Sequence, residues 1–169
     1  MRLDRVSLPN GRILQREVIE HRGAVAVIAL LDSSNMLAIR HFRHPVRETL
    51  IELPAGKLRK GEDPKSCARR ELLEETGFRA RKLSELLRFY ASPGYTQELI
   101  HVFLAQGLKK DHAKREEDEL VDVLCLSLTD AIEMIKRKQI RDGKSICAIL
   151  FFDKLMDSSL RKRPPGLSS

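Results

Sequence analysis

Three glutamates, Glu71, Glu74 and Glu75, could do chemistry together because of their spacing. At 3.6 residues per turn, a helix through this stretch places them on one arc of roughly 100°. Carboxylates crowded in this way repel one another unless a positive charge lies among them. Hard divalent cations such as Mg²⁺ or Mn²⁺ take oxygen ligands and are the natural candidates. The spacing therefore indicates a divalent-cation site, and the alternative is the acidic, solvated face of an ordinary amphipathic helix.

The flanking residues predict where this helix begins and ends. Asp63 is suited to cap its first turn, and Pro64 follows at the first helical position. Gly77 stands where a left-handed C-terminal cap is required. Leu72 and Leu73 fall on the side away from the glutamates and can face a core. The sequence thus predicts a capped helix with one acidic and one apolar side.

Composition narrows the class of protein. A chain of 169 residues with 42% apolar and 33% charged residues is typical of one globular domain with its own core. The net charge of +7 suits an anionic nucleotide substrate and equally permits non-specific attraction to nucleic acid. Because the sequence has no aromatic RNA-binding motif, we expect no specific nucleic-acid partner.

Cysteine usage and hydropathy bear on the compartment. The three cysteines are odd in number, far apart and without metal-like spacing, which favours a reducing cytoplasm. The N-terminal residues lack the apolar segment of a signal peptide. The longest apolar run, at 24–31, is too short to span a bilayer. We therefore expect a cytoplasmic protein with no membrane partner.

Turn residues and apolar runs predict the order of the elements. Residues 2–22 are typical of two antiparallel strands around the turn Pro9-Asn10-Gly11, and the continuous apolar run within 23–32 predicts a strand buried on both faces. A mixed sheet with one internal helix and two C-terminal helices predicts an α+β sandwich of helix, sheet and helix. The remaining predicted elements are strands at 36–42, 49–53, 83–92, 98–106 and 121–126, a charged loop at 109–118, and helices at 129–138 and 144–156.

The stretch 56–78 resembles the Nudix box, the signature of the Nudix hydrolases. Phe78 stands where the box has an aliphatic residue, a departure that should affect packing only. The resemblance implies the Nudix fold, an α/β/α sandwich with a mixed central sheet, here preceded by extra N-terminal strands. The box positions that match are Gly56, Glu62, Arg70, Glu71, Leu72, Glu74, Glu75 and Gly77.

Features outside the box resemble the ADP-ribose pyrophosphatase-like branch of that family. The box is entered through Glu52-Leu53-Pro54-Ala55-Gly56, and Pro93 follows Gly77 by 16 residues. An acidic loop, Glu117-Asp118-Glu119, precedes a predicted strand. Upstream, His41-Phe42-Arg43-His44-Pro45 resembles the branch's strand end, except that His41 replaces the usual glutamine.

The resemblance implies roles for the carboxylates. Glu71 and Glu75 match the main metal ligands, commonly joined by the carbonyl of Ala55, and Glu74 is expected to bind a second ion or organise metal-bound water. The general base is expected in the acidic loop, at Glu117 or Glu119, with a slight preference for Glu119; the alternative is an inert solvated loop. The residues expected to be structural are Gly56, Glu62, Arg70 and Gly77.

The expected substrate contacts come from strands and loops around the box. A guanidinium can hold two phosphate oxygens, so Arg43 is a candidate for a phosphate or ribose contact. Glu52 and Glu98 correspond to acidic positions that meet ribose hydroxyls or metal-bound water in relatives, although ordinary strand-edge charges are as common. Gly94 is expected to offer backbone contacts to the terminal ribose.

The resemblance therefore implies hydrolysis of ADP-ribose, or a related nucleoside diphosphate sugar, to AMP and ribose 5-phosphate. Mg²⁺ is the expected cofactor, with Mn²⁺ as a substitute. The alternatives are another Nudix substrate (FAD, a dinucleoside polyphosphate or another sugar nucleotide) and a non-catalytic, nucleotide-sensing module. We expect a homodimer, and divide the chain into N-terminal strands at 1–22, a Nudix domain at 23–157 and a flexible basic tail at 158–169.

Overall fold

A computed structural model describes the backbone of residues 1–111 and 121–161 and the side chains of that part up to residue 157. The chain begins with a strand pair, continues through strands to the acidic helix, and closes with two helices. In chain order the elements are β1 (Arg2–Ser7), β2 (Ile13–Val18), β3 (Ala24–Leu30), β4 (Asn35–Arg43), β5 (Glu48–Glu52), β6 (Ala55–Lys57), α1 (Pro64–Thr76), β7 (Phe78–Tyr90), β8 (Leu99–Lys110), β9 (Val121–Ser127), α2 (Leu128–Lys136) and α3 (Gly143–Arg161).

The central sheet is mixed, as predicted. Among the described strands its order is β5-β4-β3-β8-β7, with β6 added on β3 and β9 added on β4. β3 and β8 run parallel, whereas β3–β4, β4–β5, β4–β9 and β7–β8 are antiparallel pairs. The short strand β6, which contains the first residue of the box, therefore pairs with the central strand of the sheet.

β3 is the centre of the core and is buried on both faces, as its continuous apolar run predicts. Successive side chains of a strand point to opposite faces, so alternate residues of β3 enter different clusters. Ala24, Ala26 and Ile28 pack in the cluster that includes α2 and α3 residues. The residues between them, Val25, Val27 and Ala29, pack in the cluster that includes α1. The predicted α/β/α sandwich is thus confirmed.

Helix α1 begins and ends where the capping residues predict. The Asp63 side chain accepts a hydrogen bond from the backbone N–H of Ser66, and Pro64 is the first helical residue. Gly77 adopts a left-handed φ of 75°, and its N–H donates to the carbonyl of Leu73 at 2.8 Å. Leu72 is fully buried, so the apolar side of the helix packs in the core as predicted.

The N-terminal hairpin forms a separate two-stranded sheet. Its turn contains Gly11 with a φ of 77°, as the Asn-Gly pair predicts. After β2 the chain is tied to the loop before β8, because Ile19 N–H donates to the carbonyl of Tyr95 at 2.8 Å. Apolar side chains of this segment remain exposed, among them Leu3, Ile13 and Ile19. The division of the chain into three units stays a prediction.

Several element boundaries differ from the prediction. The strand expected from residue 83 begins at Phe78, and the loop expected from residue 109 begins later because β8 continues to Lys110. The start of β7 and the end of β8 pair with each other, Phe78 with Lys110. The charged side chains of these strand ends are exposed to solvent, so a run of charged residues did not by itself indicate a loop. Likewise, α3 begins one residue early and extends to Arg161.

None of the helices among the described residues combines the length and the apolar composition needed to cross a bilayer.

Candidate active site

Strand β6 brings the backbone of the box entrance directly under α1. Gly56 pairs with Val25 of β3, and the Glu71 carboxyl group lies against the position where a Cβ of residue 56 would be. Such a Cβ would come 1.9 Å from the Glu71 carboxyl carbon and 2.0 Å from one of its oxygens. Glycine is therefore required at this position for steric reasons, and Glu71 is held over the β6 backbone.

Glu75 reaches the same strand one residue earlier. It is only 3% exposed, and its Oε2 accepts a hydrogen bond from the backbone N–H of Ala55 at 2.8 Å. Glu71 and Glu75 are one helical turn apart, so they meet consecutive residues of β6, Gly56 and Ala55. Two carboxylates thus converge on one short piece of backbone.

Arg70 supplies the positive charge among the carboxylates. Its Nη1 donates to Glu71 at 2.6 Å and to Glu74 at 2.8 Å. Its Nε and Nη2 each donate to Glu62 at 2.9 Å, which fastens the preceding loop to the helix. Hydrogen bonds from Arg70 hold the pKa of Glu62 at about 2, and the same hydrogen bonds raise the pKa of Arg70.

A second ionic cluster lies where β5 ends. Glu52 is 2% exposed. Its two carboxylate oxygens accept hydrogen bonds from Nε and Nη2 of Arg43, each at 2.8 Å. Lys144, from the first turn of α3, donates to the same Glu52 carboxylate. Burial by itself raises the pKa of Glu52, but the hydrogen bonds from Arg43 and the charge of Lys144 outweigh it, and the pKa falls to about 2.

The start of α3 is fixed to the box entrance by neutral as well as ionic contacts. Ser145 is fully buried, and its Oγ accepts the backbone N–H of Leu53 at 2.8 Å. Asp142 accepts the N–H and the hydroxyl of Ser145, at 3.0 and 2.6 Å, and pairs with Lys144 at 2.9 Å. The segment just before β6 is therefore held against the start of α3.

These elements enclose a cavity of about 190 Å³ beside β6. It brings together four residues that the sequence indicated, Arg43, Ala55, Gly56 and Glu98, with two that it did not, Lys57 and Lys144. Its full lining is Ala24, Val25, Arg43, Ala55, Gly56, Lys57, Glu98 and Lys144.

Other predicted site residues lie elsewhere. Glu52 is behind the cavity wall, where it holds Arg43 and Lys144. Gly94 lies in the exposed turn before Tyr95, outside the lining of this cavity. Glu117 and Glu119 fall outside the described residues. The roles assigned to all of these residues stay predictions.

Sequence reasoning missed Lys144, although its position carried a signal. A lysine in the first turn of a helix is disfavoured by the helix dipole, so a partner of opposite charge is expected nearby. Asp142 was visible two residues earlier, but Glu52 is 92 residues away in sequence. Only the folded chain shows that Lys144 reaches the box entrance.

The family of this chain is shown by its match to a protein-family model. The NUDIX domain model matches residues 20–149, which include β3, the acidic helix and the start of α3. The chain belongs to the NUDIX family. The predicted Nudix resemblance is thereby confirmed.

Relatives from three bacteria match most of this NUDIX chain. An ADP-ribose pyrophosphatase of Bacillus subtilis (strain 168) is 45% identical over 86% of this chain and 80% of its own length. A methanol dehydrogenase activator of Bacillus methanolicus is 42% identical over 89% and 83%. A GDP-mannose pyrophosphatase of Citrobacter koseri is 36% identical over 89% and 83%. The ADP-ribose pyrophosphatase-like resemblance is confirmed by these matches.

The fold is likewise shared with a solved structure. The crystal structure of an ADP compounds hydrolase superposes with a TM-score of 0.81 at 21% identity, covering 94% of this chain and 86% of the other. At this identity the comparison concerns the fold alone, and it agrees with the sandwich described above.

Nudix hydrolases generally depend on divalent metals, and the side chains here fit such an ion. Glu71 and Glu75 offer carboxylate oxygens beside the Ala55–Gly56 backbone, a donor set suited to a hard cation. Across the described part of the chain, no three His, Cys, Asp or Glu side chains already form a ligand group. Arg70 instead lies among Glu62, Glu71 and Glu74.

We expect Gly56→Ala to weaken divalent-cation binding by about 10- to 100-fold, the range typical when a group supporting a ligand is changed. The added methyl group would displace the Glu71 carboxylate. Titration with Mn²⁺ followed by electron paramagnetic resonance measures the affinity. Gly143→Ala is the matched control, because a Cβ there meets nothing within 4 Å. Unchanged Mn²⁺ affinity in Gly56→Ala would contradict this account.

We expect the stability difference between wild type and Glu52→Gln to depend on pH. The pKa of Glu52 is about 2 in the folded protein and about 4.5 in a free side chain. The unfolded state therefore binds the proton first on acidification, so the stabilisation is present above about pH 5 and fades as pH falls towards 2.

Urea unfolding at several pH values measures this difference. Glu20→Gln is an exposed control, because the Glu20 side chain is 54% exposed, and we expect it to change the free energy of unfolding little. A Glu52→Gln effect that stayed constant from pH 7 to pH 3 would contradict the assignment.

Proposed function

We propose that this NUDIX protein is a Mg²⁺-dependent hydrolase of ADP-ribose, or of a closely related nucleoside diphosphate sugar, yielding AMP and ribose 5-phosphate. One observation carries the proposal: two box carboxylates converge on β6 beside a cavity walled by Arg43, Lys57 and Lys144. A diphosphate needs both cationic side chains for its oxygens and carboxylates for its metal ion.

The reaction requires attack by water on an anionic phosphorus centre. A bound divalent cation supplies charge neutralisation and a polarised water. Glu71, Glu75 and the carbonyl of Ala55 would hold that cation, while Glu74 remains close by on Arg70. Arg43 would bind phosphate oxygens, since its pairing with Glu52 uses only Nε and Nη2. The oxygen of water adds to one phosphorus, the P–O–P bridge breaks, and a base takes the proton of the water.

The relatives favour this substrate class. Proteins named ADP-ribose pyrophosphatase match at 45% identity in Bacillus subtilis (strain 168) and at 34% in Mycobacterium tuberculosis (strain ATCC 25618 / H37Rv). The match to GDP-mannose pyrophosphatase at 36% identity makes another sugar nucleotide the second candidate. Both candidates share the diphosphate that the cationic cavity would bind.

A panel of diphosphates assayed with Mg²⁺ and with Mn²⁺ tests the function. ADP-ribose should give the highest kcat/KM, above GDP-mannose, FAD and dinucleoside polyphosphates. Glu75→Gln should lower kcat/KM by about 100-fold or more, because a metal ion contributes several kcal/mol to such a transition state. The amide oxygen can still accept the Ala55 N–H, so the fold should persist.

Glu133→Gln serves as the control for this variant, because the Glu133 side chain on α2 is 45% exposed and pairs with Lys136, away from the cavity lining. Full activity in Glu75→Gln, or no hydrolysis of any diphosphate by the wild type, would overturn the proposal.

The acidic loop is proposed to supply the general base, with Glu119 preferred over Glu117. Replacing each with glutamine in turn should separate the two: the variant of the base should lose about 10²- to 10⁴-fold in kcat, while the other retains nearly wild-type turnover. The slope of kcat against pH should also disappear in the base variant. Equal, small effects in both variants would exclude this loop as the source of the base.

A homodimer is proposed, with the N-terminal hairpin reaching the partner and completing the nucleobase site. The exposed Leu3, Ile13 and Ile19 support this, since apolar residues on a separate two-stranded sheet suit an interface. Light scattering after size exclusion should give twice the chain mass. A fully active monomer would contradict the proposal.

A cytoplasmic location is proposed as well. The thiols of Cys67, Cys125 and Cys147 form no disulfide, which is compatible with a reducing compartment. Fractionation of cells that express the tagged protein should recover it with cytosolic markers, and recovery with secreted material would oppose this location.

A further inference from the structure

Lys144 has a place in the site that its sequence position does not announce. It is the second residue of α3, and its side chain is 15% exposed. The ammonium group pairs with Glu52 and, at 2.9 Å, with Asp142. The same side chain lines the cavity beside β6, together with Arg43 and Lys57. Lys144 is therefore held in place by two carboxylates and also faces the cavity.

Lys144 and Arg43 do not use all of their N–H donors in the pairs with Glu52 and Asp142. An ammonium group has three N–H donors, and its two carboxylate partners account for two of them. A guanidinium has five, and the pairing of Arg43 with Glu52 engages its Nε and Nη2 edge. The Nη1 group of Arg43 and one N–H of Lys144 are not used in these pairs. Both cations thus retain donors for an anion in the cavity.

A purely structural role does not require this second cation. The bidentate contact with Arg43 already gives both Glu52 oxygens a charged partner. Bringing a further ammonium group to the same buried carboxylate adds desolvation cost, which is offset only if its geometry is good. A cation fixed at a cavity wall instead saves the entropy of ordering a long side chain when an anion binds.

The size of the cavity agrees with binding part of a substrate. Pockets for whole drug-sized ligands span about 300–1,000 Å³, whereas this cavity is about 190 Å³. It lies directly beside Ala55 and Gly56, where the Glu71 and Glu75 carboxylates converge. A diphosphate group there would contact the cations Arg43, Lys57 and Lys144 and would lie next to the Ala55–Gly56 backbone on which the two carboxylates converge.

We propose that Lys144 is a substrate-binding residue that contacts the diphosphate directly, with Glu52 anchoring Lys144 and Arg43 as a pair. This inference rests on the proposed function, since it names the binding partner of the same site. Because the contact forms with the bound substrate and persists in the transition state, its loss raises KM much more than it lowers kcat.

The primary test is steady-state kinetics of Lys144→Met with ADP-ribose and Mg²⁺. The lost charge-assisted hydrogen bond should raise KM by roughly 10- to 100-fold and change kcat by less than about threefold. Lys144→Arg should restore much of the affinity, because it keeps the charge. Lys154→Met is the matched control on the same helix, since Lys154 is 77% exposed and pairs with Asp157.

Lys144→Gln covers the case in which the methionine variant folds poorly, as judged by circular dichroism and thermal melting. Glutamine keeps an N–H donor for Glu52 without the charge, so a well-folded Lys144→Gln with raised KM supports the contact. An unchanged KM in either folded variant overturns the proposal, while the hydrolase function stands. An inactive wild type across the diphosphate panel overturns the hydrolase function and this inference together.

A role through Glu52 and Arg43 alone is distinguished by repeating the change in a Glu52→Gln background. If Lys144 only positioned Arg43 through the Glu52 charge, its removal would have no further effect on KM in that background. A direct contact predicts that Lys144→Met still raises KM by about tenfold or more there. Loss of the effect overturns the direct contact.

Discussion

The hydrogen bonding of Arg70 is the interaction on which the acidic helix depends. This one guanidinium donates hydrogen bonds to Glu62, Glu71 and Glu74. Without it, three negative charges would face one another at short range. Arg70 also ties the loop before α1 to the helix through Glu62, so it fixes where the helix sits relative to β6. The steric fit of Glu71 over Gly56 and the hydrogen bond from Ala55 to Glu75 depend on that placement.

A second charged cluster connects a distant part of the chain to the same place. Glu52 lies at the end of β5, immediately before the box, and draws Arg43 from β4 and Lys144 from α3 towards it. The neutral bond from Leu53 to Ser145 strengthens the same junction. The box carboxylates and the cations of the cavity wall are therefore positioned by two different ionic clusters that meet at β6.

The accuracy of the sequence predictions varied with the range of the interactions involved. The caps of α1 and the buried strand β3 were predicted because Asp63, Gly77 and a continuous apolar run are local signals. The ends of β7 and β8 were not, because Phe78 and Lys110 are brought together only by strand pairing. The short strand β6 was not predicted either, for the same reason, since its partner β3 lies far upstream.

What the sequence by itself determined is the chemistry of the acidic helix. The spacing of Glu71, Glu74 and Glu75 already assigns them to one side, because helical geometry relates residues three and four apart. What only the tertiary structure decided is which cations line the cavity beside the strand that those carboxylates contact. Lys144 and Glu52 are 92 residues apart, and no local periodicity reports a contact over that distance. Their meeting follows from the packing of α3 against the sheet, where buried charges must find partners.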